Sequence, residues 1–277
     1  MVGLHFSAPH EWRGLETEIL IGSRPGISLA AMPDSESRFS YDEIAEAYAA
    51  GVDSAPFNAY YERPATLALL PDLTGAHILD AGCGSGFYAE QLLRLGARVT
   101  AVDESQEMAR HAESRLAQLG LLDSGEAGVG RASVRAADLT RPLPFIDAAS
   151  VDGVLSALVL HYLRDWGPTL TEFRRVLKPG GWLLLSTHHP ATEAVRYDVS
   201  DYFATEMVED YWSWVGKVRF YRRPLSAITG ALTDAGFVID RIVEPRPNDW
   251  FRAAEPEAYA RLLKQPEFLI IRARLPA

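Results

Sequence analysis

Between residues 77 and 189 the sequence alternates short apolar runs with stretches of helical periodicity, and this rhythm restricts the fold more than any other feature. HILDAG (77–82) predicts a first strand ending in glycine punctuation, and 87–95 predicts a helix with apolar residues at helical spacing, closed by Gly96. RVTAVDES (98–105) predicts a second strand and 106–119 a second helix, followed by a polar, Gly-containing loop at about 120–131. SVRAAD (133–138) predicts strand three, after which Pro142 and Pro144 interrupt the chain. SVDGVLSAL (150–158) predicts strand four and 169–177 a helix; Lys178-Pro179-Gly180-Gly181 then turns into strand five, WLLLSTHH (182–189). Helical runs between strands mean βαβ crossovers, hence a parallel sheet with helices on both faces.

Residues 190–223 break the alternation with an aromatic-rich insert, expected to form a small helical and aromatic cap. The pattern resumes with a helix near 225–235, a turn at Gly236, a strand at 237–244 and a last strand at 268–275. Upstream, YDEIAEAYAA (41–50) suits a short helix, and a second runs from 58 or 64 to 70, where Pro71 ends it. Residues 1–40 have mixed polarity and no sustained period; they read as an N-terminal arm of unassigned role, with Met32 as a second plausible start. The expected organisation is this arm, then one domain over 41–277 carrying the inserted cap. It contains no internal repeat and no low-complexity tract.

A formal net charge of −10 works against a polyanionic partner, because phosphate neutralisation supplies most nucleic-acid affinity. A small-molecule partner is expected instead, and no nucleic acid or membrane. Cys83 is the single cysteine, which excludes an internal disulfide and a cysteine-based zinc site. No acidic cluster has ligand spacing, so no metal is expected. The N-terminus lacks a basic start with an apolar run, and no apolar stretch reaches bilayer length, so a cytoplasmic protein is expected.

In open α/β sheets, ligands bind beyond the carboxyl ends of the strands. Asp80, Gly82, Gly84 and Gly86 fall there. Their G-x-G-x-G spacing differs from the G-x-G-x-x-G of dinucleotide folds. A carboxylate two residues before the first glycine would repel a pyrophosphate but suits an ammonium group, as on S-adenosylmethionine. A nicotinamide oxidoreductase is therefore disfavoured. Asp103 ends strand two, about twenty residues on, where an acid accepts from ribose hydroxyls. Asp138 ends strand three, where it would accept from an adenine amino group, with Leu139 as an apolar wall; taken alone it reads equally as a cap or turn former.

The stretches ILDAGCGSGFYAEQL (78–92), VTAVDES (99–105), AADL (136–139), VDGVLSALVLHYLRDW (151–166) and RRVLKPGGWLLLS (174–186) resemble the class I S-adenosylmethionine-dependent methyltransferases. Within them the sequence is most similar to the small-molecule group related to ubiquinone and menaquinone methyltransferases. The resemblance implies a Rossmann-like, doubly wound α/β fold with a seven-stranded sheet, mostly parallel, whose last strand is antiparallel. It also implies that Asp80 and the glycines serve the methionine moiety, Asp103 the ribose, and Asp138 with Leu139 the adenine. Ala81, Cys83, Glu104 and Met108 flank these positions and complete the expected cofactor contacts. Ser156 and His161 would lie along the exit of strand four. Tyr41 and Tyr48, on a helix resembling one that closes over the cofactor, are further candidates.

Methyl transfer is an in-line displacement on an already activated sulfonium, so alignment and exclusion of water are the main tasks. A general base is required only where the acceptor must lose a proton. His161, His188 and His189 are the histidines available, and His161 and His189 are put forward as catalytic candidates; His161 reads equally as a pocket wall. Tyr202, Tyr211, Trp212 and Trp214 of the insert are candidate acceptor contacts, an aromatic wall that would suit a flat or apolar acceptor or, with the interleaved carboxylates, a cationic amine. The aromatics read equally as a cap packing its own core. Oxygen, nitrogen and carbon acceptors all remain open. The competing readings are a cofactor-binding protein without methyl transfer (a cyclase, lyase or sensor), or a methyltransferase acting on RNA or protein.

Overall fold

The computed structural model describes residues 45–122, 131–212 and 215–277. Residues 1–40, Tyr41, Trp214 and most of the loop expected at about 120–131 lie outside these. The first strand, β1 (His77–Ala81), and the fourth, β4 (Val151–Ala157), pair in parallel at the centre of a seven-stranded sheet. Outward from β1 come β2 (Arg98–Asp103) and β3 (Ala132–Ala136). Beyond β4 comes β5 (Leu177–His188). Two further strands, β6 (Glu206–Trp212) and β7 (Gly216–Arg222), form a separate antiparallel hairpin. Then β8 (Val238–Val243) and β9 (Phe268–Arg274) complete the main sheet in the order β3-β2-β1-β4-β5-β9-β8, with β9 antiparallel to both neighbours. The doubly wound, Rossmann-like topology expected from the alternation is the one observed.

The central strands are apolar on both sides because both faces are covered. On one face Leu79, Val154, Leu183, Leu185 and Ile271 pack against two helices, α5 (Gly167–Val176) and α7 (Leu225–Asp234), through Leu170, Phe173, Ile228 and Leu232. On the other, Ile78, Leu155, Leu184 and Ile270 pack against α3 (Phe87–Arg94) and α4 (Gln106–Gln118) through Leu92, Leu93, Ala112 and Leu116. Upstream, α1 (Ala45–Gly51) precedes a π-helical turn (Asn58–Glu62) that runs into α2 (Arg63–Leu67), so the second helix stops before Pro71 rather than at it.

Four further details differ from the sequence reading. Strand β3 ends at Ala136, which leaves Asp138 in the following turn. Strand β5 starts at Leu177, so Lys178–Gly181 belong to it as an irregular segment opposite the register shift between Val151 and Gly153. The cap is α6 (Pro190–Arg196) plus the β6–β7 hairpin rather than helical throughout, because Val208, Val218 and Phe220 alternate inward. Two short helices, α8 (Asp249–Ala254) and α9 (Pro256–Leu262), fill the β8–β9 connection; Phe251 and Leu262 anchor them beside Tyr61 and Phe268. Among the described residues no helix is long and apolar enough to cross a membrane.

Candidate active site

The turn after β1 is shaped by three left-handed glycines. Gly82 (φ +81°) has no room for a side chain, since a Cβ would lie 2.3 Å from Val159 Cγ2. Gly84 (φ +52°) faces open space: a Cβ there would meet no heavy atom within 4 Å, so a ligand has access to its backbone. Gly86 is the N-cap residue of α3 and packs against Ala112 of α4. Asp80 is 1% exposed, and its Oδ2 has no hydrogen-bond partner. Burial, then the negative charge of Asp103, pushes its pKa up to about 7. Such a carboxylate gains a partner when a cation enters. Ala81 is fully buried beside it, and Cys83 is nearly so, its thiol pKa pushed up by burial and then by Asp103 and Asp80.

Asp103, the last residue of β2, ties the two loops together. Gly84 N–H donates to its Oδ2 at 2.8 Å and Ser105 N–H to its Oδ1 at 3.0 Å, which fixes the carboxylate at the mouth of the turn. Glu104 beside it is exposed. Met108 is a buried core residue whose N–H donates to the N-cap hydroxyl of Ser105 at 3.1 Å. Asp138 accepts from Thr140 N–H at 2.8 Å and from the Thr140 hydroxyl at 2.6 Å, and Arg141 lies 3.5 Å from its Oδ2. That is a turn-forming arrangement, the alternative open for this residue. Leu139 is buried in the core below it.

Tyr48 on α1 reaches the same edge. Burial pushes its hydroxyl pKa up to about 12; the charge of Arg63 opposes this, while Asp103, Glu62 and Asp53 reinforce it. Behind α1, Glu62 is buried and accepts three hydroxyl protons: from Thr66 at 2.8 Å, Ser186 at 2.6 Å and Tyr88 at 2.7 Å. These hydrogen bonds moor the segment before α2 to α3 and β5. Sequence reasoning misses Glu62, since its partners are scattered from 66 to 186.

The β4 and β5 exits supply a second cluster. Ser156 is fully buried, and its hydroxyl has no partner. Leu158 adopts φ +56° and donates its N–H to Ser186 O and Oγ, both at 3.0 Å, a bend that swings Val159 into the notch left by Gly82. His161 is 2% exposed and neither ring nitrogen finds a partner; burial first, then His188 and Arg223, drives its pKa well below the ordinary value. Its ring stacks on His188 at 4.2 Å and 18°. His188 Nδ1 lies 3.0 Å from Glu193 of α6, and Phe220 of β7 meets its ring edge-on at 4.5 Å. His189 turns elsewhere: its Nε2 is 2.8 Å from the exposed Glu244, and its N–H donates to Glu267 O.

Of the cap aromatics, Trp212 packs with Tyr48, Tyr162 and Tyr197 over the Val208–Val218–Phe220 core, on the side that faces the sheet exits. Tyr202 is half-buried; its hydroxyl accepts from Leu225 N–H at 3.2 Å and its ring meets Phe203 edge-on. Tyr211 is 72% exposed on the outer face. The structure therefore brings Asp80, Gly84, Asp103 and Tyr48 together, and separately His161, His188, Phe220 and Trp212. Phe220 and Glu193 carry no motif; the alternation of β6 and β7 is the signal that points to Phe220. Among the described residues no group of three or more His, Cys, Asp or Glu converges as a metal site requires.

The family of methyltransferase domains matches residues 79–185, from β1 through β5. A protein of Mesorhizobium loti, described as an S-adenosylmethionine-dependent methyltransferase, superposes with a TM-score of 0.62 at 28% identity, covering 81% of this chain and all of that one. A ubiquinone biosynthesis O-methyltransferase of Xanthomonas oryzae is 36% identical over 135 residues, which are 48% of this chain and 52% of the relative. An uncharacterised protein of Haemophilus influenzae is 27% identical over 78% of this chain and 88% of its own. Residues 79–185 thus match the methyltransferase domain family, and the fold is similar to that of S-adenosylmethionine-dependent methyltransferases. In sequence it resembles the ubiquinone biosynthesis O-methyltransferases, although the match spans about half of their length.

Proposed function

We propose that this protein transfers a methyl group from S-adenosylmethionine to a small-molecule acceptor held under the β6–β7 cap. The observation that carries the reading is Asp80: a buried carboxylate oxygen without a partner, beside an open Gly84 backbone and facing the fixed carboxylate of Asp103. These residues fit the cofactor. Asp80 would receive its ammonium, Asp103 its ribose hydroxyls, and Gly82 to Gly86 the methionine chain, while Asp138 and Leu139 would border the adenine. Tyr48, and Tyr41 from the adjoining segment, would cover it. When bound, the cofactor supplies an electrophilic methyl carbon on a positively charged sulfur.

The chain's own tasks are then alignment and exclusion of water. Tyr48, Trp212, Phe220 and Tyr162 supply an apolar lining between α1, the cap and the β4 exit. The net charge of −10 disfavours RNA as the acceptor. The reading assigns residues 41–277 to one catalytic domain, with 190–223 as its cap. Calorimetry with S-adenosylhomocysteine tests it: wild type binds, Asp80→Asn binds at least about tenfold more weakly, and NADH does not bind. Binding of NADH with no binding of S-adenosylhomocysteine overturns it. A panel of small phenols, amines and carbon acids, scored for homocysteine release after hydrolase treatment, separates methyl transfer from cofactor binding alone.

A further inference from the structure

Three histidines stand near the β4 and β5 exits, and only one is built to move a proton. His161 is sealed: both ring nitrogens are buried and unpartnered, and burial holds the ring neutral. His189 spends its Nε2 on the solvent-exposed Glu244, and its Nδ1 is buried. His188 differs from both. Its Nδ1 is bonded to Glu193, whose side chain is only 7% exposed, while its Nε2 makes no hydrogen bond and is not sealed from solvent. With the Nδ1–H donated to Glu193, the Nε2 lone pair is the free proton acceptor.

The ring is also held in place. It lies between His161, stacked at 4.2 Å, and Phe268, stacked at 6.1 Å, with Phe220 edge-on at 4.5 Å. Residue parity puts it over the site. Ile78, Leu155 and Leu184 share one face of the sheet, so Asp80 and His188, each an even number of residues further along its strand, point to that same face. His188 is the final residue of β5 and therefore stands at the carboxyl edge of the sheet, against Phe220 of the cap.

We propose that His188, oriented by Glu193, is the general base of this methyltransferase and that its acceptor carries an acidic hydroxyl, a phenol or enol. The inference rests on the methyl-transfer reading above. The hydroxyl proton passes to Nε2, the acceptor oxygen forms its bond to the methyl carbon as the carbon–sulfur bond breaks, and that bond's electron pair goes to sulfur. The imidazolium, paired with Glu193, later releases its proton to water. The titratable or charged groups around the ring are Glu193 and Tyr197 from α6 and its end, His161 and Tyr162 from the β4 exit, and Arg223 after β7.

The test uses para-nitrophenol, whose phenolate and phenol absorb differently, added to the full chain saturated with S-adenosylhomocysteine. Wild type is expected to show bound phenolate at a pH where the free probe is largely protonated. His188→Gln should lose that band, Glu193→Gln should move its appearance to higher pH, and His189→Ala should match wild type. With an active phenolic acceptor, His188→Gln should lose about 100-fold in kcat with little change in KM. Affinity for S-adenosylhomocysteine should be the same in all four proteins, which separates failure of this inference from failure of the methyltransferase reading. A wild-type phenolate band in His188→Gln, or its absence from wild type that binds S-adenosylhomocysteine, overturns the proposal. Glu193→Gln carries the test if His188→Gln does not fold, and an unmoved band there is equally fatal.

Discussion

The carboxyl edge of the sheet has two halves, built in different ways. On the β1–β3 side, each polar group stands at or just beyond a strand end and is fixed by neighbours close in sequence or across one loop: Asp103, the last residue of β2, by Gly84 and Ser105, and Asp138, in the turn after β3, by Thr140. On the β4–β5 side the groups come from remote segments. Glu62 meets Ser186, His188 meets Glu193 and Phe220, and Tyr48 packs against the hairpin core. On the proposed reading the first half is the cofactor mount and the second holds the acceptor, so the acceptor side can change without disturbing the mount. The two halves touch at Gly82 and Val159.

That junction gives the largest expected effect. Gly82→Ala must place a Cβ 2.3 Å from Val159 at φ +81°, and should cost about 3 kcal/mol in urea unfolding, together with cofactor affinity. Unchanged stability would show that the halves are independent. Asp103→Ala tests the mount alone. Loss of one or more hydrogen bonds to a charged acceptor, about 1.5–3 kcal/mol each, should weaken S-adenosylhomocysteine binding about 10- to 100-fold by calorimetry. The acceptor KM, measured at saturating cofactor, should stay put.

The pH dependence of that affinity is the next largest. Asp80 has its folded pKa raised to about 7, so below that pH it carries a proton that an ammonium ligand must displace. Affinity should therefore rise with pH up to about 7 and level off above it, by at most tenfold per pH unit, and Asp80→Asn should flatten the curve. Folding has the opposite sign: a raised carboxyl pKa favours the native state at low pH, and this advantage is lost as pH rises from 3.8 to about 7. The smallest pair of effects separates the faces of the hairpin. Trp212→Ala should raise the acceptor KM several-fold, whereas Tyr211→Ala, on the outer face, should change stability by less than about 0.5 kcal/mol and leave KM alone.

The same contrast explains how much of the molecule is legible in the sequence. Strand–helix alternation identifies β1 to β5, β8, β9 and four of the covering helices, because a doubly wound sheet writes its pattern locally in apolar spacing. Asp80 and Asp103 are legible because the glycine turn and the strand end mark them. Asp138 is legible only as a position, since the turn it stabilises gives the same signal as a ligand contact. The hairpin is hidden because its aromatic content masks the two-residue alternation of Val208, Val218 and Phe220. His188 looks no better than His189 in sequence. Only the strand's pleat, which sends one toward the buried Glu193 and the other toward the exposed Glu244, distinguishes them.

Cys83 lies in the middle of the glycine turn, 7% exposed, and is the only thiol in the chain. Its placement turns the protein into its own stopwatch. A thiol-directed reagent has a single target, and that target is shielded by the turn, so its reaction should speed up as the turn opens. Reaction rates with reagent in excess would thus count the openings of the cofactor mount directly. The slowing caused by each candidate ligand would rank those ligands without any knowledge of the acceptor.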